Sequence, residues 1–138
     1  MLEKVTVCLN GDSQFELRHG KHCDRLNPKE LLLCATAKCA GLTALEIMGK
    51  EKVTPKKFEI TVTGDLSTDT LRADSVFTGF NVIYNAEART ADEHVKISRA
   101  LKLTHDKYCG MVRMLQKIAP VSHEIAIVTT EPVTEWSR

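Results

Sequence analysis

Residues 27–49 read NPKELLLCATAKCAGLTALEIMG, and how this stretch folds decides how the rest of the chain is arranged. Asn27 is a helix cap, Pro28 suits the first helical position, and Glu30 stands where its carboxylate reaches back to free backbone N–H groups. From Leu31 to Met48 apolar side chains fall on all sides of the axis, interrupted mainly by Thr36, Lys38, Thr43 and Glu46. A helix without a broad polar stripe is buried. At the α-helical rise it runs roughly 30 Å, about the width of a small domain, so it threads a core. Cys39 sits near its middle.

The bulk composition narrows the classes of function. The chain has 138 residues, 43% hydrophobic and 27% charged, the profile of one soluble globular domain that needs no disulfide or metal to close its core. Its 19 basic and 18 acidic residues leave a net charge of +1, so no overall field attracts nucleic acid or an anionic membrane. Aromatic content of 5% argues against a base-stacking platform. The first residues, MLEKVTVCLNG, alternate like a strand and lack the apolar run of a signal peptide, and the apolar helix carries Lys38 and Glu46. The expectation is a cytoplasmic protein with no nucleic-acid or membrane partner.

Working outward from the helix, Val5 to Leu9 and Gln14 to Arg18 read as two strands joined at Asn10, Gly11 and Asp12, residues that supply the positive φ of a tight hairpin. His19 to Leu26 is polar and aperiodic, a loop feeding the helix. The segment after Gly49 is charged and holds Pro55, a connector. Phe58, Ile60 and Val62 then alternate with polar residues up to Gly64, and Ser75 to Asn85 reads as the antiparallel neighbour of that strand, with Gly79 marking a bulge.

From Thr90 the period becomes helical, with Ile97, Ala100, Leu101, Thr104, Tyr108, Met111, Val112, Leu115 and Ile118 on one face. Glycine in mid-pattern predicts a break at Cys109-Gly110, and Pro120 ends the helix. Ser122 to Thr130 is a last strand, and Glu131 to Arg138 a poorly ordered tail. The order β-β-α-β-β-α-α-β is a single α+β domain of antiparallel strands over a long apolar helix. One chain supplies little cover for a helix apolar on every side, which predicts a dimer.

Five cysteines, at 8, 23, 34, 39 and 109, form no disulfide framework. Cys8 and Cys34 read as small buried hydrophobes. Cys39 is too far from the helix ends for the macrodipole to help it, whereas Cys109 at a restarted helix meets free N–H groups that favour thiolate, with His105 one turn back. On spacing alone, a redox-active Cys39 and Cys109 pair and two inert buried thiols both stand. His19, His22 and Cys23, or His105 with Cys109, are metal-ligand types without a second cluster to complete a tetrahedral site, so no metal or cofactor is expected.

The segment Asn27-Pro28-Lys29-Glu30-Leu31-Leu32-Leu33 followed by Ala37-Lys38-Cys39 resembles the NPxELLLxAxAxC motif of the OsmC/Ohr family, the osmotically inducible and organic-hydroperoxide-resistance proteins. Lys107-Tyr108-Cys109, with Met111, Leu115 and Pro120-Val121, is similar to that family's KYCPVxxxL segment. The resemblance implies an OsmC-like fold in an intertwined homodimer with sites near the subunit interface. It implies that Cys39 attacks an organic hydroperoxide, that Cys109 resolves the resulting sulfenic acid to a disulfide, and that a dithiol reductant restores the pair.

The chain departs from the dedicated peroxidases of that family at two places. Their activating arginine in the first hairpin turn and glutamate after the helix-initial proline correspond here to Asn10-Gly11-Asp12 and Lys29. Arg18 or Arg25 with Glu30, and His105, are the groups left for thiolate activation, though each arginine reads equally as a solvated charge. Gly110 replaces the proline of KYCPV. The resemblance is therefore to the broad OsmC-like subgroup. Two readings follow: a two-cysteine hydroperoxide reductase, or a stress or ligand-binding protein that uses an interface pocket without turnover.

Overall fold

The computed structural model describes residues 1–130; the tail expected from Glu131 to Arg138 lies outside them. In chain order the elements are β1 (Leu2–Leu9), β2 (Phe15–Leu17), α1 (Pro28–Lys50), β3 (Lys57–Leu66), β4 (Phe77–Ala88), α2 (Ala91–Leu103), α3 (Gly110–Gln116) and β5 (Val121–Thr129). Two short 3-10 turns, Arg18–Gly20 and Cys23–Arg25, shape the loop before α1.

α1 starts where its cap dictates. The Asn27 side chain accepts from the Glu30 N–H at 2.8 Å, and the Glu30 carboxylate accepts from the Asn27 N–H at 3.0 Å. Leu33, Ala37, Ala40, Ala44 and Met48 are fully buried. The helix is long and apolar enough to cross a membrane, but this face packs into the protein core. Leu31, Ala35, Lys38, Leu42 and Glu46 form a stripe left exposed among the described residues. Gly41 lies against the Phe15 ring so closely that a Cβ would fall 2.5 Å from it.

The five strands form one sheet in the order β2-β1-β3-β4-β5. Val5, Val7, Ile60, Val62, Val82 and Tyr84 face the helices with almost no exposure. Thr78 is the extra residue of a bulge, since Asp65 pairs with Gly79 and Leu66 with Phe77.

Two expectations need correction. The sheet is mixed, because β5 runs parallel to β4, with Tyr84 opposite Ile125. A parallel neighbour requires a crossover, and α2, the turn after it and α3 provide one. In the first hairpin the positive φ falls on Ser13, at 58°, rather than on Asn10, Gly11 or Asp12. Asn10 organises the loop instead: its side-chain oxygen accepts from the N–H groups of Asp12 and Gln14.

Candidate active site

The crossover brings the two cysteines together. After α2 the chain widens into a single π turn, Thr104–Tyr108, then passes through Cys109 in extended conformation (φ −80°, ψ 107°) before α3 begins. Cys109 is fully buried, and its S–H donates to the Cys39 sulfur at 3.4 Å. Cys39 is half-buried on α1.

At Cys109 the helix start and burial act in opposite directions. The N–H groups of Val112 and Met111 do favour the anion, but burial outweighs them and the Cys39 sulfur adds to the upward push, so the thiol is pushed up to about 12. Cys109 is therefore a protonated donor, and the sulfur it points to is the more exposed of the two.

Beside the thiols lies a cluster of rings. The Tyr84 hydroxyl and His105 Nδ1 are 2.8 Å apart, both residues buried. The His105 ring stacks on that of His123 with centroids 4.0 Å apart. Burial, reinforced by His123, lowers the His105 pKa to about 4, so the ring is neutral at physiological pH. Burial raises the Tyr84 pKa, with the Cys109 and Cys39 sulfurs adding to it. Tyr84 and His123 were not singled out from sequence; they lie on adjacent strands far apart in the chain, and no local pattern links them to residue 105.

The other groups considered for thiolate activation lie elsewhere. Arg18 binds both carboxylate oxygens of Glu59, at 2.6 and 2.7 Å, on β3. Glu30 serves the α1 cap. Arg25 is exposed in the second 3-10 turn. Among the described residues no hydrogen bond or ion pair joins any of the three to Cys39 or Cys109, and no group of three or more His, Cys, Asp or Glu side chains is placed to hold a metal ion.

A mixed sheet wrapped on a long apolar helix, with one cysteine on that helix and a second at the break in the crossover, defines the class. The profile of the OsmC-like protein family matches residues 19–124, and the chain belongs to that family. Protein YhfA of Escherichia coli is 24% identical over 102 residues, which cover 74% of this chain and 73% of that protein. The OsmC-like protein of Mycoplasma pneumoniae superposes with a TM-score of 0.60 at 18% identity, covering 93% of this chain and 97% of that one. The organic hydroperoxide resistance protein OhrB of Bacillus subtilis gives 0.54 at 14% identity, with 89% and 97% covered.

Proposed function

We propose that the protein is a thiol-dependent peroxidase that reduces organic hydroperoxides, with Cys39 as the attacking and Cys109 as the resolving cysteine. The observation that carries the proposal is the 3.4 Å approach of the two sulfurs. Cys39 is the sulfur that a peroxide can reach, and the Cys109 S–H aimed at it stabilises negative charge there. The Cys39 thiolate attacks one peroxide oxygen; an S–O bond forms, the O–O bond breaks, and the alkoxide leaves as an alcohol once protonated. The Cys109 sulfur then attacks the sulfenic acid, its proton leaving with the hydroxyl as water.

Closing the disulfide requires the sulfurs to approach by about 1.4 Å more. The extended residue between the π turn and α3 is where the backbone can supply that movement. A dithiol then reduces the bond by exchange, returning both thiols. The name of the Bacillus subtilis protein of similar fold, organic hydroperoxide resistance, agrees with this reading, as do five free cysteines suited to a reducing cytoplasm.

The open stripe on α1 supports a homodimer. Leu31 is 43% and Leu42 53% exposed in the single chain, and a second copy would cover them and narrow the approach to Cys39. A second reading, ligand binding without turnover, is favoured by one fact: Arg18 and Glu30 are engaged elsewhere. One experiment separates the two. One equivalent of an organic hydroperoxide is added to reduced protein and disulfides are mapped without reduction. A Cys39–Cys109 bond formed within seconds supports the peroxidase; two free thiols refute it and leave ligand binding.

A further inference from the structure

His105 lies inside the π turn Thr104–Tyr108 that joins α2 to the break before α3. A π turn holds one more residue than an α turn, so it swings the chain that follows by about 100° relative to a continued α-helix. The Cys109 N–H closes the turn on the Thr104 carbonyl at 2.9 Å, and Cys109 leaves it with its sulfur 3.4 Å from that of Cys39.

His105 ties this turn to the sheet at two strands. Its Nδ1 meets the Tyr84 hydroxyl of β4 at 2.8 Å, and its ring stacks on that of His123 on β5. The same Tyr84 hydroxyl is within electrostatic reach of both the Cys109 and the Cys39 sulfurs. Tyr84 and His105 are both buried, so water is not at hand to replace either partner.

We infer that Tyr84 and His105 are positioning residues for the thiol pair: their hydrogen bond holds the π turn where Cys109 reaches Cys39. This rests on reading Cys39 and Cys109 as a working pair, and adds that the sheet, acting through His105, sets the closeness of their sulfurs. Losing the bond leaves a buried polar atom unpaired, and the turn shifts to find it another partner, carrying Cys109 with it. The equilibrium for closing the disulfide then falls, because it measures the effective concentration of one thiol at the other.

The test equilibrates the full chain with mixtures of reduced and oxidised glutathione. Two protein thiols and one glutathione disulfide give the Cys39–Cys109 bond and two glutathiones. Samples are quenched by acid and alkylated, and the bond is quantified by peptide mass. No hydroperoxide is present, so a chain inert towards hydroperoxides still gives a result. Tyr84→Phe, which removes one oxygen and keeps the ring, should lower the equilibrium constant at least tenfold, about 30 mV. His105→Leu, which keeps bulk without a polar atom, should do the same. His105→Asn, whose amide places a polar atom near the position of Nδ1, should stay within about threefold of the parent chain, an order that space-filling alone would reverse. Should His105→Leu fail to fold, Tyr84→Phe decides. An unchanged constant in Tyr84→Phe, or a His105→Asn chain that falls as far as His105→Leu, overturns the inference and leaves the pairing intact. A parent chain that forms no Cys39–Cys109 bond at any glutathione ratio overturns the pairing and the inference together.

Discussion

The hydroxyl of Tyr84 and Nδ1 of His105 meet at 2.8 Å in the interior, joining the middle of β4 to the π turn that precedes Cys109. Because His105 is held neutral with a pKa near 4, against about 6.5 in an unfolded chain, the unfolded state binds more protons between those values. Stability from this ring is therefore complete above about pH 6.5 and is lost as pH falls towards 4. The charges nearby are few: His123 opposes protonation and Asp106 favours it. Unfolding free energies from denaturant titrations between pH 7.5 and 4.5 should decline by up to about 3 kcal/mol from this group. His105→Gln should flatten that decline; an unchanged slope would assign the acid sensitivity to carboxylates.

Separate roles for the two sulfurs predict separate phenotypes. Cys39→Ser should reduce peroxide consumption to the background rate. Cys109→Ser should keep the first, stoichiometric reduction but lower turnover by tenfold or more, with a sulfenic acid trapped at Cys39 by a dione reagent. Equal losses in both variants at the first turnover would contradict the assignment.

The open stripe of α1 predicts that Leu42→Lys weakens association. Light scattering at micromolar concentration should give a dimer for the parent chain and a shift towards monomer for the variant, because a lysine buried in an apolar interface is costly unless paired. A parent chain that scatters as a monomer would remove the homodimer from the proposal.

Gly41 and Gly110 should respond oppositely to alanine. A Cβ at Gly41 meets three Phe15 ring atoms at 2.5 to 2.9 Å, so Gly41→Ala should destabilise by about 1 to 3 kcal/mol through overpacking. Gly110 has nothing within 4 Å and opens a helix, so Gly110→Ala should be neutral or slightly stabilising. Thermal melts of the two variants beside the parent chain check both signs.

Local chemistry made much of this fold legible. The Asn27 and Glu30 capping box, the alternation of Phe58, Ile60 and Val62, and the break at Cys109-Gly110 are each encoded within a few residues, and the structure contains all three. The direction of β5 is not local. Period-two alternation identifies a strand but is the same for parallel and antiparallel neighbours, so Ile125 and Ile127 did not reveal how they pair. The site shows the same limit. Helix position alone suggested a thiolate at Cys109, but burial decides its protonation, and burial depends on α1 packing over it. Arg18 finds Glu59 across β1, a contact set by sheet order.

The parallel pairing of β4 and β5 has a consequence for the order in which the chain acquires its structure. β1, β2 and β3 join by antiparallel ladders and β4 follows β3 directly, but β5 pairs only after residues 89–120 have crossed over. Long-range closure of that kind is slow relative to helix formation and hairpin zipping. Cys109 rides on the segment that closes last, 70 positions from Cys39. During synthesis Cys39 is made while its partner is still absent, and the close pair of thiols is a property only of the finished chain.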